Sequence, residues 1–73
     1  MYKMVILIEN NKLTLHFCAK GDALYVLNQM KHNLRDPAHK VDWYTDSNDV
    51  ILMLTFDMLR KATIYMGPEN MRM

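Results

Sequence analysis

Cysteine, glycine and proline are all scarce in this chain: one, two and two among 73 residues. Cys18 has no second cysteine to pair with, so no intrachain disulfide supports the fold, and a lone thiol suits a reducing compartment. In sequence context it reads as a small apolar strand residue. With only Gly21 and Gly67 there is no glycine-rich phosphate loop, and neither G-x-S-x-G nor H-E-x-x-H occurs. Charge of one sign is scarce too. Nine lysines and arginines against eight carboxylates leave +1, which gives no bulk field to draw nucleic acid, a membrane surface or an acidic substrate. Long hydrophobic runs are missing as well. The apolar opening is cut by Glu9, Asn10 and Asn11 and carries no small-residue cleavage site, so it does not read as a signal peptide. No run approaches the ~20 residues of a membrane-spanning helix, and the expected location is cytoplasmic.

What is present is a folding composition, with 51% hydrophobic residues. The length predicts one domain over residues 1–66 and a frayed tail over 67–73, after Gly67 and Pro68. A chain of this size buries only about 60–65% of its unfolded surface. Such domains often gain stability from a metal or a second subunit.

Residues 2–9 and 12–19 predict a β-hairpin around Asn10 and Asn11, since asparagine tolerates positive φ. In that register Tyr2, Met4, Ile6 and Ile8 oppose Ala19, Phe17, Leu15 and Leu13, making one wholly apolar face. Lys3, Val5, Leu7 and Glu9 oppose Cys18, His16, Thr14 and Lys12 on a mixed face. Gly21 and Asp22 open a helix to about Leu34, with Ala23, Leu24, Val26, Leu27, Met30 and Leu34 in one arc and Tyr25, Asn28, Gln29 and His32 opposite. Pro37 ends it. Residues 40–46 alternate as a half-buried strand, with Val41, Trp43 and Thr45 assigned to the core side and Asp42, Tyr44 and Asp46 to the other. Residues 50–56 are apolar on both sides and read as a doubly buried strand. A last strand spans 60–66, although residues 57–62 also fit a short helical turn. The predicted fold is α+β: an antiparallel four- to five-stranded sheet with one helix on one face, order β-β-α-β-β-β, the third strand lying antiparallel to the first.

No constellation points to catalysis. His16 and Cys18 share a strand face, but His32 and His39 lie elsewhere and cannot complete a zinc set. A Cys–His nucleophilic pair would also need a third, orienting group. Asp42, Asp46 and Asp49 flank a turn that lacks the glycine and terminal glutamate of a calcium loop. The expectation is a non-enzymatic protein with no cofactor, no metal and no small-molecule substrate.

The other face of the sheet remains in need of a cover. Val5, Leu7, His16, Tyr44, Tyr65 and one side of residues 50–56 (Ile51 and Met53, or Leu52 and Leu54) would form an apolar patch that soluble monomers seldom display. It predicts a homodimer or a complex with another protein. A nucleic-acid regulator is the alternative. It would use Lys31, Arg35 and Lys40 near the helix end, Arg60 and Lys61 at the start of the last strand, or Tyr44 and Tyr65 as stacking rings. In size and layout the whole chain is similar to short one-domain, cysteine-poor proteins of bacteriophages and prophages that open with a β-hairpin. That resemblance implies action by binding a host protein or nucleic acid, and it assigns no residues.

Overall fold

The computed structural model describes residues 1–38 and 40–72; His39, weighed above as a metal ligand, and Met73 of the tail lie outside the described residues. The elements are β1 (Tyr2–Ile8), β2 (Asn11–Phe17), α1 (Lys20–Asn33), β3 (Val41–Thr45), β4 (Ile51–Thr55), α2 (Phe56–Lys61) and β5 (Thr63–Pro68). The class is α+β and the order β-β-α-β-β-β holds, with α2 inserted before the last strand. The strands form two antiparallel sheets, β2-β1-β5 and β3-β4, rather than one. The third strand does not join the sheet of β1; β5 pairs with β1 instead. Met4, Val5 and Ile6 are fully buried in β1, so this strand needs a partner on each edge. α2 supplies the reversal that returns β5 antiparallel to it.

The hairpin register differs from expectation by two residues: Tyr2 opposes Phe17, Ile6 opposes Leu13 and Ile8 opposes Asn11. Glu9, not an asparagine, takes the left-handed angle, φ 55°. Residues 18 and 19 are not available to the ladder, because Ala19 is the N-cap of α1 and the Cys18 N–H bonds Ser47 Oγ. A two-residue shift keeps side-chain parity, so Met4, Ile6, Ile8, Leu15 and Phe17 still point into one core. α1 covers that core with Ala23, Val26 and Met30. Leu24 and Leu34, expected in the same arc, are exposed. Tyr44 and Leu54 from the β3–β4 ribbon and Leu59 from α2 complete the core.

Residues 56–61 are helical, so the last strand starts at Thr63 rather than at residue 60. Thr55 caps this helix, its Oγ1 accepting the Met58 N–H at 3.1 Å. Asp57 in the first turn and Arg60 and Lys61 in the last complement the helix dipole. Thr55→Ala is expected to cost about 1 kcal/mol, read as a lower urea midpoint at unchanged slope. Gly67 and Pro68, expected in a loose tail, instead pair with Lys3 and Tyr2 at the end of β5.

Candidate interaction surface

The turn after β3 is organised by Asp46, which is only 6% exposed. Its Oδ1 accepts the N–H groups of Asn48 and Val50, each at 2.9 Å, and its Oδ2 accepts the His16 N–H at 2.9 Å. The Ser47 N–H donates to the His16 carbonyl at 2.9 Å, and Asp49 closes the turn at φ 61°. Burial works to raise the Asp46 carboxyl. The three backbone donors and His16 outweigh it and hold the group below the usual carboxylate range. The carboxylate thereby fastens one end of the ribbon to the outer edge of β2.

That anchor sets which side of β3 faces inward. Strand alternation places Tyr44 on the same side as Asp46, and Tyr44 is 2% exposed. Asn33 at the end of α1 donates from Nδ2 to Tyr44 Oη at 2.9 Å. Burial pushes the phenol up, the Asn33 bond partly offsets this, and the Asp42 charge adds to the rise. Trp43, expected in the core, therefore faces out and is 68% exposed. The polar pattern misled here because the inward side carries two aspartates and a tyrosine, each with a polar atom to satisfy.

The ribbon's outer face pairs Val41 with Thr55, Trp43 with Met53 and Thr45 with Ile51. It contains no charged residue. Val41, Trp43, Ile51 and Met53 are all exposed there. Beside it, α1 and β3 enclose a groove of two adjoining cavities, about 440 and 410 Å³. Tyr25, Gln29 and Trp43 line both cavities. Gln29 Nε2 donates to Tyr25 Oη at 3.4 Å.

The residues predicted as an interface are divided by the structure. Ile51 and Met53 lie exposed on the ribbon, whereas Val5 and Tyr44 are buried. Leu7 and His16 are half-buried and Tyr65 is exposed, all on the three-stranded sheet. That sheet face is covered in part by the chain's own C-terminal segment, contrary to expectation. The Glu69 N–H donates to the Met1 carbonyl at 3.0 Å, and Glu69 Oε1 lies 2.7 Å from His16 Nδ1. Met71 packs so closely on Gly67 that a Cβ there would run into its sulfur. Cys18 falls just past β2 and is exposed rather than an apolar strand residue.

Of the basic residues, Lys31, Arg35, Lys40, Arg60 and Lys61 are all exposed. They are spread over the end of α1, the residue before β3 and the last turn of α2, where Arg60 meets Asp57 at 3.4 Å. Among the described residues no three His, Cys, Asp or Glu side chains come together as a metal set, and no helix is long and apolar enough to cross a membrane.

Val41, Trp43 and Tyr25 are the surface residues that sequence reasoning missed; Val41, like Trp43, was expected on the core side and is exposed. A signal for Trp43 was present in Asp46-Ser47-Asn48-Asp49. An aspartate opening such a turn bonds its own backbone two residues on, and an inward Asp46 forces Tyr44 in and Trp43 out. Fold and surface together define a small α+β domain with an uncharged exposed ribbon beside an aromatic groove. Comparison with protein-family models, with curated proteins and with solved structures finds no match to this chain.

Proposed function

We propose that this chain is a non-enzymatic protein-interaction module of the cytoplasm that self-associates through the outer face of the β3–β4 ribbon. The observation that carries this reading is the uncharged run of exposed Val41, Trp43, Ile51 and Met53 on a ribbon held in place by Asp46. Ordered apolar surface of this kind is what a partner buries, and a two-fold related copy offers the same face in return. The ribbon also has only two strands, and strand edges invite pairing with another chain. The exposed thiol of Cys18 suits a reducing compartment. The size and layout suit an accessory protein of the phage type that acts on a host protein.

Nucleic acid is the lesser reading. Tyr44, one of its two stacking rings, is buried, and its basic residues stand on separate elements.

Sedimentation velocity over a concentration series tests the proposal. The wild-type chain should move from monomer to dimer, and Ile51→Lys with Met53→Lys should stay monomeric with the same far-ultraviolet circular dichroism. A wild-type chain that remains a monomer throughout, or a double variant that dimerises as well, would sink it.

A further inference from the structure

The two cavities between α1 and β3 share a chemical character that the ribbon's outer face lacks. Their common wall holds two exposed rings, Tyr25 and Trp43, with the Gln29 amide between the cavities. The first cavity adds the carboxylates of Asp22 and Asp46, and the second adds Asp42. No lysine or arginine lines either cavity among the described residues. The groove is thus acidic and aromatic, in a chain whose formal charge is +1 overall. Asp46 is engaged by three backbone donors, which leaves Asp22, exposed in the first turn of α1, as the carboxylate best disposed to meet a ligand in the first cavity.

Rings beside carboxylates are the surroundings that a side-chain cation seeks. A cation over an aromatic face is attracted by the ring quadrupole, and a guanidinium can stack on a ring while its N–H fork pairs with a carboxylate. The phosphate backbone of a nucleic acid would be repelled by the same walls. An uncharged apolar segment would bring no charge to meet Asp22. We propose that the α1–β3 groove receives an arginine-bearing segment of a partner protein, with a guanidinium stacked between Tyr25 and Trp43 and paired with Asp22. The proposal deepens the interaction reading by giving the groove a partner chemistry distinct from that of the self-associating ribbon.

Trp43 is the single tryptophan, so its emission reports the groove when the chain is kept dilute enough to stay monomeric. The probe is the blocked peptide Gly-Arg-Gly-Arg, titrated into the full chain, with the citrulline counterpart as a neutral control of the same shape. The expected result is a saturable change in Trp43 emission with the arginine peptide that weakens as salt is raised. Affinity should be about tenfold lower for the citrulline peptide and for Asp22→Asn. Asp22 is exposed and outside the core, so its variant should fold as the wild type does; circular dichroism checks this. Equal binding of the two peptides, no saturable response, or a response indifferent to Asp22→Asn overturns the proposal. The same titration at protein concentrations below the dimerisation range separates the two ideas: peptide binding by the monomer assigns it to the groove, independent of self-association through the ribbon. If dimerisation persists in the wild type but no peptide binds, only the groove proposal falls.

Discussion

Asp46→Ala is expected to lower the unfolding free energy by about 3 kcal/mol, because it strands backbone donors that the carboxylate now satisfies. The His16, Asn48 and Val50 N–H groups all depend on this one side chain. Asp46→Asn should cost somewhat less, about 2 kcal/mol. An asparagine oxygen can still accept two of the bonds, but its amide would present a donor to another donor. For a domain whose total stability is on the order of 5 kcal/mol, either change should leave a visibly populated unfolded fraction on mild heating.

The same site sets part of the acid response. The folded carboxyl lies below its ordinary value, while the unfolded one titrates near about 3.9. Above that pH both states are ionised and the whole contribution is present. As pH falls below it the unfolded chain takes up the proton first, so stability declines until the folded group titrates too. Urea unfolding at a series of pH values between neutrality and strong acid should therefore show a loss on the acid side that is shallower in Asp46→Asn. An identical acid slope in the two proteins would mean that Asp46 is not the anchor described here.

The structure also shows which parts of this fold local pattern can reveal. The parity of β1 and β2 was legible because five apolar side chains recur at every second residue, and parity survives a two-residue slip. The register itself was not, because it depends on where α1 begins and on Glu9 accepting a left-handed angle, and neither leaves a mark in the hairpin's own alternation. α1 was legible from its 3.6-residue period, but its stripe was read too wide: Leu24 and Leu34 match the period and still lie outside the region that the three-stranded sheet can cover. The division into two sheets was hidden, since pairing β1 with β5 is a contact between distant segments. α2 was open between strand and helix, and the Thr55 cap decided it. The candidate surface was only half legible. Ile51 and Met53 stand on it, but the alternation puts Trp43, the cross-strand partner of Met53, on the core side. Hydrophobicity ranks tryptophan as the inward residue, whereas hydrogen-bond satisfaction ranks the side with Tyr44 and Asp46 inward. The second criterion won because each of those groups finds a partner.

Tyr44 against Trp43 is the sharpest test of that inversion. Tyr44→Ala empties a fully enclosed site in the core between α1 and the ribbon and should cost about 4 kcal/mol, in the range of large-to-small core substitutions. Tyr44→Phe keeps the ring and removes only the oxygen that meets Asn33, so it should cost about 1 kcal/mol. It should also flatten the alkaline end of the stability profile. The folded phenol titrates above its ordinary value, so its contribution is complete below about pH 10 and is lost as pH rises from there through the folded pKa. Trp43→Ala removes a larger side chain, yet one that stands mostly in solvent, and should change stability by less than about 1 kcal/mol while weakening self-association. Equilibrium denaturation of the three variants checks the ranking. If Trp43→Ala proves costlier than Tyr44→Ala, β3 presents its other side to the core, and the uncharged outer face on which the interaction reading stands goes with it.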